Sequence, residues 1–371
     1  SAAATKRTPK FGRMRLGEKG IGRFGVHKLG NKIELVSKTI SAKTEVHLNI
    51  DWRKAESVRL IEDVPISLAN VTSEVFKGCA SGTRIVISDL KGTWDRGKVR
   101  EVARAIATLN SPFSERGAFS VDLKVVGQNG EPDWVKGIVT FDEINTRSLY
   151  AFDITMSGKY VTSFKYDFTP WKQLDLLKPR HVEWGKSHKL SRLIDNSKSW
   201  KPKDIDITDL GEVRFQGVIF DLDPKILKLG FVEDKRGFKD YLQNNGGVRV
   251  YRDNMRVLNY GERGDDWLEL NFRRVNRPGI RVSLNIIMAA VSLSRESSAV
   301  LEEKANREGF IQNDAFSALQ AATLYALELV EDQRIIDKIS IRDNYGQKAD
   351  RTPIRASMAD LRADVEKYVK N

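Results

Sequence analysis

The sequence predicts an α+β protein, built from antiparallel strands and a few amphipathic helices, and three observations predict it. In several runs apolar residues alternate with polar ones, which is the two-residue period of a half-buried strand. In two other stretches apolar residues recur at three- and four-residue spacing, which is typical of a helix. Glycine, asparagine and aspartate cluster between the β-prone runs, where hairpin turns need them.

The first 92 residues contain one short helix and three strands. A helix is expected from about Gly22 to Leu29, and Gly30-Asn31 should end it because glycine tolerates a left-handed cap. Ile33 with Leu35, then Val46 to Ile50, then Thr83 to Ile87 alternate with polar residues. We expect these runs to form half-buried, antiparallel strands.

The rest of the sequence predicts a β-rich domain with two helices. One helix is expected from about Lys98 to Asn110, and a stronger one from Asp314 to Arg334, with Asn313 or Asp314 as its N-cap. Residues 170–205 show no period and predict an irregular insertion, and Ile280–Ser294 is a long β-prone run. Pairs of runs around turn residues predict three hairpins: Phe119–Val126 with Trp134–Phe141, Tyr150–Met156 with Tyr160–Tyr166, and Val248–Tyr251 with Arg256–Leu258.

Composition excludes several classes of protein. The single Cys79 cannot form an intrachain disulfide, and the four histidines have no metal-ligand spacing, so neither a disulfide scaffold nor a zinc site is expected. The sequence has no run of eighteen apolar residues and no export signal, and 30% of its 371 residues are charged. We therefore expect a cytoplasmic protein.

Positive charge is concentrated at the N-terminus. The chain carries a formal net charge of +12. Residues 1–40 hold ten basic and two acidic side chains, so +8 of that excess lies in this segment. Such local charge predicts an anionic partner, either a small molecule that bears phosphate or a nucleic-acid backbone.

A glycine-rich loop lies inside this basic segment. Gly17, Gly20 and Gly22 leave backbone amides unobstructed, and the helix expected directly afterwards points its free N–H groups and its positive dipole end into the same space. Lys19 can place an ammonium on an outer phosphate, and Arg23 can do the same or pair with Glu18. The order GxxGxG is neither the P-loop nor the dinucleotide fingerprint GxGxxG.

The run from Thr8 to Gly30, TPKFGRMRLGEKGIGRFGVHKLG, resembles the lid and second glycine box of the GHKL ATPases, the superfamily of gyrase B, the heat-shock chaperone, histidine kinases and MutL. Ser81-Gly82-Thr83, entering a strand, is similar to the last nucleotide-site element of that family. The downstream chain resembles the transducer of the chaperone-like or MORC-like branch, notably at 246–253, 266–268 and 306–310.

The resemblance implies a fold and a set of roles. The fold would be the C-terminal part of a Bergerat-type α/β sandwich at 1–92, a transducer-like domain at 93–340 and a helical tail at 341–371. The ligands would be ATP and Mg²⁺. The resemblance assigns phosphate binding to Gly17, Lys19, Gly20, Ile21 and Gly22, a secondary contact to Thr83, and γ-phosphate sensing to Arg307, with Lys304 as a weaker rival. Arg23 is added as a phosphate-binding candidate by its position one turn into the expected helix.

Two family motifs are missing from these 371 residues: the helix whose Glu and Asn activate water and bind magnesium, and the DxGxG loop whose Asp reads adenine. No catalytic general base can therefore be named. A fragment, a split gene or an N-terminal segment outside this sequence would each explain their absence. We expect little or no ATP hydrolysis by the isolated chain.

Residues 249–281 contain eight arginines, no lysine and five acids. Arginine suits bidentate phosphate contacts, which makes Arg249, Arg252, Arg256, Arg273 and Arg274 candidates for nucleic-acid binding. The alternative is a solvated strand face with local ion pairs to Asp253, Glu262, Asp265, Asp266 and Glu269.

The function that the resemblance implies is nucleotide-driven lid closure and homodimerisation that act on a partner. DNA is a partner that the charge allows, and bacterial defence or DNA maintenance is a role suggested by family analogy. One alternative is a non-catalytic, basic nucleic-acid-binding module. The other is a scaffold that completes an ATPase site with a second polypeptide, and no membrane contact is expected.

Overall fold

A computed structural model describes residues 21–55, 66–78, 80–113, 121–126, 133–195, 200–230, 234–277, 279–304 and 308–345. Seven α-helices lie in these ranges: α1 Trp52–Ala55, α2 Arg96–Ala107, α3 Phe141–Asn145, α4 Pro224–Leu229, α5 Lys235–Asn245, α6 Leu270–Asn276 and α7 Asp314–Tyr345. Short 3-10 helices occupy Ile21–Lys28, Thr208–Leu210 and Leu284–Ile286.

Fourteen strands lie in the same ranges: β1 Gly30–Lys38, β2 Thr44–Asp51, β3 Ile66–Thr72, β4 Gly82–Leu90, β5 Tyr150–Ser157, β6 Tyr160–Phe168, β7 Arg180–Glu183, β8 His188–Lys189, β9 Ser191–Asp195, β10 Trp200–Asp204, β11 Glu212–Ile219, β12 Gly247–Arg252, β13 Met255–Val257 and β14 Ile287–Leu293. The fold is α+β, as the sequence predicts.

The chain divides into two compact units, Ser1–Glu101 and Val102–Asn371, and the change of unit falls within α2. The first unit contains a four-stranded sheet in the order β3-β2-β1-β4, with every pair antiparallel. The three strands expected there are confirmed. The fourth, β3, was not predicted. The helix expected before them is confirmed as the 3-10 helix Ile21–Lys28, but Gly30 begins β1 instead of adopting a left-handed cap.

The second unit is built on a mixed sheet in the order β13-β12-β14-β11-β5-β6-β7, with β8 paired to β6. Only β12 and β14 run parallel; the remaining pairs are antiparallel. The large core forms where α7 covers one face of this sheet. On β5, the buried residues Tyr150, Phe152, Ile154 and Met156 share that face at a period of two. A smaller core of Val218, Phe220, Phe238 and others includes residues of α4 and α5.

Several predicted elements of this unit are confirmed. The hairpins β5–β6 and β12–β13 form as expected, and Asp253 and Asn254 take the positive φ values that a two-residue hairpin turn requires. Helix α7 begins where expected, and the Asn313 side chain caps it by accepting a hydrogen bond from the Phe316 amide at 2.9 Å. The helix runs eleven residues beyond Arg334, to Tyr345.

Two predictions for this unit are wrong. Trp134–Phe141 is not a strand, because Thr140 and Glu143 form a reciprocal capping box that starts α3 at Phe141. Of its expected partner, residues 121–126 form no strand, and the start lies outside the described residues. The stretch 170–205 is not irregular throughout, because the short strands β7 to β10 lie in it.

Candidate functional site

The glycine run enters the described structure at its last part. Gly17, Lys19 and Gly20 lie outside the described residues, and of Ile21, Gly22 and Arg23 only the backbone is described. That backbone opens the 3-10 helix Ile21–Lys28. The first N–H groups of a helix have no acceptor within it, so amides at this end are available donors. A glycine-rich sequence directly before a helix is the pattern expected for phosphate binding.

Thr83 lies near the start of β4, next to the end of β1. It pairs with Ser37 in the antiparallel register, and the two side-chain hydroxyl oxygens lie 3.0 Å apart. Thr83 is exposed, so this pair of hydroxyls can bond to water or to a polar ligand. The 3-10 helix joins β1 at the opposite end, at Gly30.

A single site can include both the N-terminus of the 3-10 helix and Thr83 only for one direction of the helix relative to β1. Eight 3-10 residues span about 16 Å, and β1 from Gly30 to Ser37 spans about 23 Å. The N-terminal amides of the helix can therefore approach Thr83 only if the helix runs back beside β1.

The first sheet presents an apolar face to solvent. We call the apolar face the side that carries Ile33, Leu35, Val46, Leu48, Ile50, Ile66, Leu68, Ile85 and Ile87, which the strand registers place on one side. Leu68 is 67% exposed, Ile66 53% and Ile85 50%, although Ile33 is buried. Thr83 and Ser37 lie on the same side, next to Val46. A sheet face of this composition is normally covered by another layer.

The opposite side of the sheet holds the segment that leads into β4. Glu45 is fully buried and accepts hydrogen bonds at 3.1 Å from the backbone amides of Glu74, Val75 and Phe76. The Lys38 ammonium, also buried, donates to the carbonyls of Phe76 and Gly78 at 2.7 and 2.6 Å. One carboxylate and one ammonium thus fix the backbone of residues 73–78, a few residues before Thr83.

The hydrogen bonds to Glu45 decide its charge state. Burial by itself raises the pKa of the carboxyl group, but the bonds from His47 and from the amides of Phe76, Val75 and Glu74 outweigh it and lower the pKa to about 2. Glu45 is therefore ionised at neutral pH, as an acceptor of several N–H groups must be.

The five arginines predicted to bind nucleic acid do not form one exposed patch. Arg249 and Arg252 are buried. Arg252 donates to the carbonyls of Ser298 and Leu301 and to the Glu303 carboxylate.

The other three arginines differ in exposure. Arg256 pairs with Glu262 at 3.2 Å, which is one of the local pairs considered as the alternative. Arg273 donates to Glu328 and to the buried Glu331. Of the five arginines, only Arg274 is exposed. The five side chains therefore do not share an exposed surface for nucleic acid.

Arg307 lies outside the described residues, but its flanks are described. A β-bridge joins Glu303 to Phe310, the Lys304 amide donates to the Gly309 carbonyl at 2.9 Å, and the Ile311 amide donates to the Glu302 carbonyl at 2.8 Å. These bonds bring the two flanks of residues 305–307 together. Because Arg252 holds Ser298, Leu301 and Glu303, it anchors the first of the flanks. The role of Arg307 stays a prediction.

Three buried charge clusters were missed by sequence reasoning. They are Glu45 with Lys38, Arg180 with Asp337 and Tyr166, and Glu331 with Arg273 and Arg281. For Glu331 a signal was present in the sequence, because it lies at four-residue spacing between the buried Leu327 and Ile335 of α7. For Glu45 the sequence pattern was misleading. Alternation along β2 predicts that Val46 is buried and Glu45 exposed, whereas Glu45 is buried and Val46 is exposed.

Comparisons with known proteins give no family assignment. No protein-family profile matches the chain, and no curated protein matches it. Among solved structures, the chain is similar to the 43K ATPase domain of Thermus thermophilus gyrase B in complex with an aminocoumarin, at 11% identity and a TM-score of 0.30, over 98% of this chain and 80% of that one. It is also similar to the ATP-binding domain of topoisomerase IV from Francisella tularensis, at 11% identity and a TM-score of 0.28, over 92% and 77%.

The described residues contain neither a helix that could cross a membrane nor a side-chain cluster that could hold a metal ion. No helix there combines the length and the apolar character that crossing a bilayer requires. Likewise, no group of three or more His, Cys, Asp or Glu side chains in that part of the chain could hold a metal ion.

Proposed function

We propose that this chain supplies the phosphate-binding side of a GHKL-type ATP site and couples nucleotide binding to lid closure and homodimerisation. The observation that carries the proposal is the junction at Ile21, where the basic glycine run passes directly into a helix. Bare amides, a helix N-terminus and adjacent cations form one of the commonest ways to bind phosphate in proteins. The charge of +8 in residues 1–40 favours the same ligand.

The residues of this chain would divide the work. Backbone amides of Gly20, Ile21 and Gly22 would donate to phosphate oxygens, and Lys19 and Arg23 would neutralise their charge. The hydroxyls of Thr83 and Ser37 would bond to the nucleotide directly or through water. ATP would contribute the anionic triphosphate that orders the basic lid, since a cationic loop gains charge-assisted hydrogen bonds only when that anion is present.

The proposal also includes another polypeptide segment that completes the site, and the apolar face supports this part of it. That segment belongs either to a second chain or to a part of a longer protein that precedes this sequence. A segment that packed on Ile66, Leu68 and Ile85 would bury apolar surface and would lie on the same side of the sheet as Thr83. The adenine-reading aspartate and the general base, which the sequence lacks, are assigned to that segment.

Homodimerisation and action on DNA extend the proposal further. Lid closure over the triphosphate would stabilise a second copy of the chain, which sedimentation with and without a non-hydrolysable ATP analogue would detect. DNA as the partner is supported by the net charge of +12. Its binding should then weaken steeply as salt rises.

The direct test compares Mg·ATP binding by the wild-type chain and by Lys19→Met. Loss of one charge-assisted contact to phosphate should weaken binding roughly 10- to 100-fold. The matched control is Lys43→Met, which removes an exposed lysine between β1 and β2 of the same unit and should leave binding unchanged. If both variants lost ATP affinity equally, the loss would be due to the change in net charge, which would contradict the proposal.

A further inference from the structure

Arg334 is a buried cation with no hydrogen-bonding partner in the described structure. It lies on α7 and is 2% exposed. Its Nε has no acceptor, and no carboxylate lies within ion-pair distance of its guanidinium in the described ranges. The guanidinium carbon lies over the ring of Tyr150, 5.2 Å from its centroid. A buried, unpaired charge destabilises the folded state, and buried charges in proteins are normally paired or bound to a ligand.

A second unsatisfied donor lies beside it. The hydroxyl group of Tyr150 is buried and also has no hydrogen-bond partner. Burial raises the pKa of Tyr150 above its usual range, so this hydroxyl keeps its proton and remains a donor. The Nε atom of the guanidinium and the phenol hydroxyl are thus both buried without an acceptor in the described structure.

The charges around this pair are predominantly positive. Lys338, one turn further along α7, is partly buried and donates to the Gly279 carbonyl at 2.9 Å. Burial, followed by the like charges of Arg334 and Arg342, lowers the pKa of Lys338 to about 8, and Arg274 of α6 adds to this effect.

Two carboxylates act on the same group. Asp221, two residues after β11, is buried and accepts a hydrogen bond from the Asp223 amide. Asp337 is held by Arg180 and Tyr166. Arg334, Lys338, Arg342 and Arg274 thus outnumber the carboxylates, and only Asp221 is not already paired with a cation.

We propose that Arg334, Lys338 and Tyr150 form a binding site for a small phosphate dianion. The guanidinium offers parallel N–H donors to two oxygens, the ammonium adds a point charge, and the phenol donates to a third oxygen. An excess of positive charge favours a dianion over a monocarboxylate. Because Arg334 is almost wholly enclosed, the ligand is inorganic phosphate or the terminal phosphate of a small molecule, and a duplex backbone is too large.

This site is independent of the proposed ATP site. Its residues belong to the unit Val102–Asn371, whereas the glycine run belongs to the unit Ser1–Glu101. A Lys19→Met variant should therefore keep the response described next, which makes failure of one proposal distinguishable from failure of the other.

The test measures thermal unfolding of the full chain in inorganic phosphate at constant ionic strength, with chloride and acetate as comparison anions. Phosphate at tenfold its dissociation constant should raise the midpoint of the second unit by about 3 °C or more, and the comparison anions should not. Arg334→Met and Lys338→Met should each abolish the phosphate response. Lys239→Met, an exposed lysine of α5, is the matched control and should retain it.

Arg334→Met has a second expected result that a structural role would not produce. Without phosphate it should unfold at the same temperature as wild type or higher, because it removes an uncompensated buried charge. A drop in midpoint for that variant would indicate that Arg334 is paired through water with Asp221, and would overturn the proposal. An equal response to chloride or to acetate would also overturn it.

Discussion

Single buried charges fix backbone segments in this protein where helices and strands do not. Glu45 and Lys38 hold residues 73–78 in the first unit. In the second unit, Arg252 holds the segment 298–303 by four hydrogen bonds. Both segments adjoin residues with proposed nucleotide roles, Thr83 in one case and Arg307 in the other. Each such charge predicts a local loss of structure when it is removed.

Glu45→Gln should release residues 73–78. Because the folded pKa of about 2 lies below the ordinary value of 4.5, the stabilisation is fully present above pH 4.5 and is lost as the pH falls toward 2. The difference in thermal midpoint between wild type and variant should follow that course, and at neutral pH the amides of Glu74 to Phe76 should exchange hydrogen faster. Glu34→Gln, on β1, is the control. A difference that persists unchanged at pH 2 would refute this explanation.

Arg252→Met distinguishes an internal role from nucleic-acid binding. It removes hydrogen bonds to two carbonyls and one carboxylate in a buried place, so we expect a loss of about 3 kcal/mol in the free energy of unfolding. Chemical denaturation measures it. Arg274→Met, at an exposed arginine, should change stability by less than about 0.5 kcal/mol. If Arg252→Met instead weakened DNA binding with stability intact, the original prediction for this residue would stand.

At the scale of elements, prediction from the sequence succeeds where one period dominates and where turn residues are unambiguous. The β5–β6 hairpin and the start of α7 are of this kind. It fails at Trp134–Phe141, since the capping box at Thr140 and Glu143 overrides the β-prone composition. It also fails for β3 and for the strands in 170–205, because pairing with sequence-distant neighbours stabilises short strands whose own pattern is weak.

Some residues of the candidate site were likewise identifiable from the sequence, and others were not. The glycine run and Thr83 were identifiable because their residue types are themselves the signal. The roles of Glu45 and Lys38, which hold residues 73–78, and the pair of Arg334 and Tyr150 were not identifiable from the sequence. Their chemistry depends on which residues the fold brings together. Burial of a charge is a tertiary property, and neither alternation nor helical period encodes it.

The apolar face carries a prediction for the first sheet as a whole. Leu68→Gln changes a side chain that is 67% exposed, so it should leave the stability of the isolated chain within about 0.5 kcal/mol of wild type. It should weaken association with a segment that completes the nucleotide site, measured by co-purification or titration. Val36→Gln, at a fully buried position of β1, is the opposite control and should destabilise the chain strongly. Strong destabilisation by Leu68→Gln would show that the face is already covered.

At the scale of the whole molecule, the chain consists of two units with separate chemistry. The unit Ser1–Glu101 carries the basic glycine run, and the unit Val102–Asn371 carries the large mixed sheet, α7 and the proposed phosphate site. In the proposed function, the first unit recognises the phosphates of a nucleotide, and another segment recognises the base.

Competitive binding of ATP, GTP and AMP to the chain tests that claim most directly. The Arg334→Met background excludes the second phosphate site from the measurement. ATP and GTP should bind with equal affinity, since no residue assigned here reads the base, and AMP should bind at least roughly tenfold more weakly because fewer charge-assisted bonds form. Equal binding of AMP and ATP, or a clear preference for ATP over GTP, would contradict the account.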